Sequence, residues 1–500
     1  MGTVLKSSLL NLAATGVSVG AGFAVSILTA RLLGPEGAGL TAFSLWFAIS
    51  LSALIDRGTP QMLLRSLGTG DDASPAVWKV QVVTGLRRFL PGILLGLFGI
   101  AAWASCQMIW HAAPSIALQW TSTALLFVLY ALFAFATAVS RGLGNFREAA
   151  LSTVSGSLLQ MPFIVIGAIF FGPAGATAGM AVRFLPQVLK LFNYVDSAVR
   201  PDPASLSPQM RTYARQMWLS DLIDVILMTR IELALLGIFL SVSDMGYFAT
   251  AAVFAGLVGQ FALQISPALI VGFSSTHGHP EKQASLFRNA MRFTALIVFP
   301  VAFGGAAVVP GLIACVFGAD FAPAGMAASL LLLSSAFTGI AVVPWAYLAA
   351  EGKSDKLLST MIVLAIVTIG LLAGAIAFAG LEGAAVARIA LELLSFCLLA
   401  IVLRRTHGPA IPFGALARTA LAAASCGLAA FAITATLSGT GGMLAAVIGG
   451  ALIYGVALRV FRLIDPRDRA VLLDNAAFNR LPQFLRSSAR LLIAIIAPRV

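Results

Sequence analysis

Charge is what this chain lacks. Only 10% of its residues are Asp, Glu, Lys or Arg, while 59% are hydrophobic, which excludes an ordinary set of soluble domains for 500 residues. Acidic residues are scarcer still, 20 against 32 basic ones, for a net charge of +12. Cysteine is rare as well: Cys106, Cys315, Cys397 and Cys426 lie in or beside apolar runs without metal-ligand spacing, so neither a disulfide framework nor a metal site is expected. Enzyme motifs are missing too. There is no HExxH, no GxSxG elbow and no GxGxxG after a strand. The one GKS, at Gly352 to Ser354, would need glycine at position 347, where Tyr347 stands, and it follows an apolar helix rather than a strand. No enzyme chemistry and no cofactor are expected. Work would draw on an H+ or Na+ gradient, or on the substrate's own gradient.

What the chain has in excess is apolar length. Mean hydropathy is +0.95, and fourteen windows of about 20 residues are each long enough to cross some 30 Å of hydrocarbon. The fold expected is all-α, an integral membrane protein of 14 transmembrane helices. Sorting Lys and Arg among alternate loops tests the count, because the cytoplasmic side collects them. With both termini inside, the inner loops, helix ends and tail hold 27 of the 32, leaving Arg31, Arg57, Arg183, Arg230 and Arg388. Because the basic residues are dispersed in short loop clusters, no nucleic-acid partner is expected.

The two halves also repeat. Gly39/Gly246 and Pro60/Pro267 are 207 positions apart, Gly172/Gly380 and Gly175/Gly383 are 208 apart, and Pro91/Pro300 are 209 apart. Since six helices is an even number, both copies enter from the same side, giving two parallel six-helix repeats plus two C-terminal helices, with a site expected between the halves. The domains expected are an N-terminal lobe over 1–200, a linker over 201–216, a second lobe over 217–405, helices 13 and 14 over 406–461, and a basic cytoplasmic tail over 462–500. The tail mixes Arg with Leu and Phe, which suits either the membrane surface or water.

Charges inside apolar spans are costly, roughly 2.5 to 3.5 kcal/mol each on insertion scales, and so mark candidate sites. In helix 6, Arg183, Gln187 and Lys190 fall at i, i+4 and i+7 and share one face. Helix 12 repeats the spacing with Arg388, Glu392 and Ser395. Either these Arg-led stripes face a common interior, or Lys190 snorkels to the interface and Arg388 pairs with Glu392 in a structural bridge. Helix 7 carries Asp221, Asp224, Arg230 and Glu232. At 100° per residue the carboxylates form one stripe with Arg230 behind it. Asp221 is expected to meet cytoplasmic water. Asp224 and Glu232 suit ion coupling or, alternatively, pairing with basic groups on neighbouring helices.

The run from Arg31 to Gly39 (RLLGPEGAG), together with Asp56-Arg57-Gly58 and Asp244-Met-Gly-Tyr247, resembles the helix junctions of bacterial Wzx-type polysaccharide flippases. That family belongs to the superfamily that also contains MATE exporters and the lipid II flippase. The resemblance implies a MATE-like fold. It also implies movement of an undecaprenyl-diphosphate-linked oligosaccharide across the bacterial inner membrane by alternating access, for exopolysaccharide, O-antigen or capsule synthesis. Membrane lipids, a polysaccharide polymerase and other assembly proteins would be partners. The diphosphate ligands are then expected among Arg183, Arg388, Arg230 and Arg31, because guanidinium is always charged and shaped for phosphate. Ion coupling is expected from Asp224, Glu232 and Glu392. The competing readings are a MATE-like, ion-coupled exporter of organic cations and a non-transporting scaffold.

Overall fold

The computed structural model describes residues 2–68, 75–111, 114–196, 198–228 and 231–463. Among the described residues there is no strand. The helices are α1 (Gly2–Ile55), α2 (Thr59–Gly68), α3 (Pro75–His111), α4 (Pro114–Gly142), α5 (Phe146–Ala181), α6 (Leu185–Leu191), α7 (Pro208–Leu222), α8 (Ile231–Phe239), α9 (Val242–Ser275), α10 (Pro280–Phe317), α11 (Ala324–Ala350), α12 (Ser354–Arg405), α13 (Phe413–Thr436) and α14 (Gly439–Val460). Of the expected tail, everything beyond Leu463 lies outside the described residues.

Ten of these helices are long and apolar enough to cross a membrane. Three of the ten are two segments joined at a glycine: α1 at Gly34 (φ 68°), α5 at Gly172 (φ 58°) and α12 at Gly380 (φ 57°). A positive φ is nearly free only for glycine. At the first two sites Pro35 and Pro173 follow, removing the N–H that would continue the helix. Apolar side chains that would be costly in water are left on the surface, among them Phe98 (72% exposed), Phe170 (73%) and Phe378 (94%). In a lipid solvent such exposure is ordinary.

This gives thirteen apolar helical segments among the described residues, not the fourteen expected. The difference lies in helix 7. Within the expected span over 217–240, α7 ends at Leu222, a π-helical turn occupies Ile223–Met228, and α8 starts at Ile231, with residues 229–230 outside the described residues. α7 starts at Pro208, where Ser207 caps it by accepting from the Met210 N–H at 3.2 Å and Pro208 stands in the first turn.

The chain falls into two compact units, Met1–Val253 with Met361–Leu381, and Phe254–Thr360 with Glu382–Val500. The first has a core around Phe89, Phe127 and Phe135, with Phe89 stacked on Phe135 at 5.5 Å. The second is centred on Phe273, Phe287 and Tyr347, with Tyr347 edge-on to both phenyl rings at 5.5 and 5.8 Å.

The repeat is visible in the backbone. Gly172 and Gly380 adopt nearly the same left-handed conformation (ψ −141° and −133°). Gly39 and Gly246, another equivalent pair, lie against each other within the first unit. A Cβ on Gly39 would come within 2.1 Å of the Val242 carbonyl oxygen, and one on Gly246 within 2.0 Å of the Pro35 carbonyl oxygen.

Candidate functional site

Arg183 sits on a single 3-10 turn, Val182–Phe184, between α5 and α6. Its neighbour Phe184 is wedged against Tyr130 and Phe133 of α4, with ring centroids 5.3 and 5.0 Å away. Behind the turn, a Cβ on Gly156 would come within 1.9 Å of the Arg183 carbonyl oxygen, so only glycine allows this approach. The backbone is thus fixed from two sides. The guanidinium donates to the Ser18 hydroxyl on α1. It lines a cavity of about 170 Å³ whose other polar walls are Ser26, Thr29, Thr41, Gln160 and Thr250. No carboxylate lines the cavity, and the Thr29 hydroxyl is buried without a hydrogen-bond partner among the described residues. One fixed cation among hydroxyls and an amide offers an anion charge and hydrogen-bond donors, with no competing carboxylate in the wall.

The 3-10 turn divides the expected stripe. Gln187 is buried and donates to the Ala136 carbonyl at 3.3 Å, while Lys190 is exposed along a separate groove shared with Arg147 and Glu148. Only Arg183 reaches the cavity. In the second unit Arg388 meets Glu392 at 2.9 Å, the structural bridge weighed as its alternative. Arg31 is exposed next to the bend in α1. Arg230 lies outside the described residues.

The π turn corrects the carboxylate stripe of helix 7. Bonds closing i→i+5 turn less per residue than α-helical ones, so a 100° wheel does not carry from Asp221 to Glu232. Asp224 is exposed, Glu232 is buried, and Asp221 is half-buried, accepting from the Gln61 amide at 3.3 Å. Just past the end of the first unit's apolar span, burial pushes the Asp56 carboxyl up to about 6. The Gly58 N–H, 2.7 Å from Oδ1, pulls the other way, and the charge of Asp221 adds a smaller push. No group of His, Cys, Asp and Glu among the described residues could hold a metal ion.

Sequence reasoning missed two features of the first unit. Arg57, Arg88, Arg211 and Arg215 converge with Thr212 and Trp218 on a cavity of about 370 Å³. The count of cytoplasmic loop charge includes three of these arginines, Arg88, Arg211 and Arg215. The available signal was the i, i+4, i+7 spacing of Arg211, Arg215 and Trp218, which places them on one face of α7. The second is a cavity of about 850 Å³ walled by Phe43, Trp46, Phe47, Trp103, Trp120 and Phe171. Its amides are held in place: Gln119 donates to Ser44 at 2.8 Å and to Thr177 at 3.1 Å, and Gln107 accepts from Trp120 at 2.7 Å.

Solved structures that share this fold include the following three. One is titled lipid II flippase MurJ in an inward closed conformation (14% identity, 91% of this chain and 98% of that one, TM-score 0.70). Another is an inward-facing multidrug resistance MATE family transporter of the MOP superfamily (18%, 82% and 99%, 0.64). The third is a MOP superfamily transporter from Pyrococcus furiosus (18%, 83% and 96%, 0.55). These neighbours are a flippase and transporters, not enzymes. No curated protein sequence matches the chain. A family model described as polysaccharide biosynthesis protein matches residues 28–326, more than half of the chain. The chain therefore belongs to that polysaccharide biosynthesis family, as a multi-span membrane protein with the fold of the MurJ and MATE transporters.

Proposed function

We propose that this protein is a flippase that carries an undecaprenyl-diphosphate-linked oligosaccharide from the cytoplasmic to the periplasmic leaflet of a bacterial inner membrane, with both termini cytoplasmic. The glycan would serve exopolysaccharide, O-antigen or capsule assembly. The observation that carries the reading is Arg183, a positioned guanidinium in a cavity without a carboxylate, in a chain of a polysaccharide biosynthesis family. A neighbour named as a lipid II flippase supports a lipid-linked substrate.

The sign of the charge argues against export of organic cations. A unit cation 4 Å from Arg183 would be repelled by about 4 kcal/mol at an effective dielectric constant of 20, and a diphosphate attracted in proportion. The cavity is too small for an oligosaccharide, so it is assigned the diphosphate alone. The aromatic cavity, with its fixed amides, is the wall suited to sugar rings. Gradient coupling is assigned to Asp224 and Glu232. Glu392 is already engaged by Arg388.

The test is flipping of a labelled polyprenyl-diphosphate glycan in proteoliposomes, with and without imposed proton and Na+ gradients. Transport of the glycan, and none of a cationic dye, is expected. Dye export by folded protein that moves no glycan would replace this reading with the exporter.

A further inference from the structure

The four-arginine cavity lies well away from Arg183. Thr41, in the wall of the Arg183 cavity, and Ile55, where the apolar helix ends, are 14 residues apart on the same straight segment, about 21 Å. Arg57 follows that end directly, just outside the apolar span, while Arg183 lies within the apolar span Phe146–Leu191. Arg57 itself is in the left-handed region (φ 50°), a conformation that costs a non-glycine residue energy and persists only when its surroundings enforce it. They do so here: a Cβ on the adjoining Gly58 would come within 2.0 Å of the Ala214 carbonyl oxygen, which clamps the turn onto α7.

The cavity's charge is uncompensated. Arg88 donates to the Arg57 carbonyl at 3.4 Å and Arg211 to the Pro203 carbonyl at 2.6 Å. None of the four arginines makes an ion pair among the described residues. The nearby acids are occupied, Asp56 by the Gly58 N–H and Asp221 by Gln61. Trp218 gives its indole N–H to the Ala53 and Leu54 carbonyls, which leaves its ring as an apolar wall. Four guanidinium groups around one space repel one another unless a multivalent anion joins them, and planar forks favour phosphate oxygens.

We propose that this cavity is a capture site for a lipid-borne diphosphate, which holds the substrate's headgroup at the membrane surface before it reaches Arg183. The inference rests on the flippase reading for the identity of the ligand, though not for its charge. The same chemistry could come from an anionic phospholipid or from soluble pyrophosphate, so the test separates them.

The full-length protein is placed in zwitterionic nanodiscs and in proteoliposomes, beside an Arg57→Gln/Arg211→Gln/Arg215→Gln variant and the corresponding triple Lys variant. With Arg183→Gln in every background so that only this cavity is read, pyrophosphate should bind the protein with its other arginines native and the Lys variant, and bind the Gln variant at least about tenfold more weakly. In the flipping assay the Gln variant should show a KM for the glycan raised by a similar factor with kcat retained. The Lys variant controls for misfolding. An unchanged KM, or pyrophosphate binding that survives the Gln substitutions, overturns the proposal. So does phosphatidylglycerol that displaces the labelled glycan from the wild type at equal mole fraction, because the cavity is then a phospholipid seat. If the wild type flips no glycan but pyrophosphate still distinguishes the variants, the flippase reading fails and the anion site stands.

Discussion

Arg183 and Arg388 hold comparable places in the two copies of a repeat, each leading a polar triplet spaced i, i+4, i+7, yet they have been put to different uses. Arg388 is neutralised by Glu392 four residues on. Arg183 has Gln187 at that position, lies on a 3-10 turn that sends Gln187 elsewhere, and donates instead to a serine hydroxyl. One cation is spent on holding a helix. The other remains electrically available, which is what an anion site requires.

The contrast can be broken in order of expected effect. Arg183→Gln should lower glycan flipping about a hundredfold in proteoliposomes, from loss of a charge-assisted contact in a low-dielectric site. Ser18→Asp should give Arg183 the carboxylate that Arg388 already has, and lower flipping about tenfold while raising the melting temperature. An unchanged rate in Ser18→Asp would mean that neutrality at Arg183 is harmless and that the contrast has no functional content. Glu392→Gln should cost roughly 1–2 kcal/mol of stability, between values for exposed and buried pairs, and leave flipping nearly intact. Arg388→Met combined with Glu392→Leu should recover most of that loss.

The smallest effect concerns Asp56. Above pH 3.8 the unfolded chain has released this proton, but the folded state keeps it up to about 6. Stability therefore falls as pH rises through that window. Asp56→Asn, which can still accept from Gly58, should flatten the slope and raise the melting temperature at pH 7 by on the order of 2 °C. A melting curve at pH 4.5 should show no difference of that size.

Most of the fold was legible because hydropathy and charge asymmetry are additive signals, summed over twenty residues at a time. Arg183 was legible for a related reason, being a charge within an apolar run. Helix 7 was not, because a wheel drawn at a fixed angle cannot register a change of helix type at Ile223–Met228. The arginine cavity was missed because a rule that counts basic residues by side of the membrane has no use for where they point. Arg57, Arg88 and Arg211 come from separate segments and meet only in the fold. The Arg388–Glu392 pair was foreseen as one of two outcomes, and its spacing alone could not choose between them.

The Gly39–Gly246 crossing sets a limit on how far such divergence can go. Elsewhere the two copies carry different side chains at matching places, and Arg388 is paired with a carboxylate where the cavity around Arg183 holds none. At the crossing each copy's backbone occupies the volume that a side chain on the other would need. No compensating change of side-chain size is available there, since there is no side chain to shrink. The duplicated halves therefore share one position at which neither can acquire a new role without moving the other's main chain.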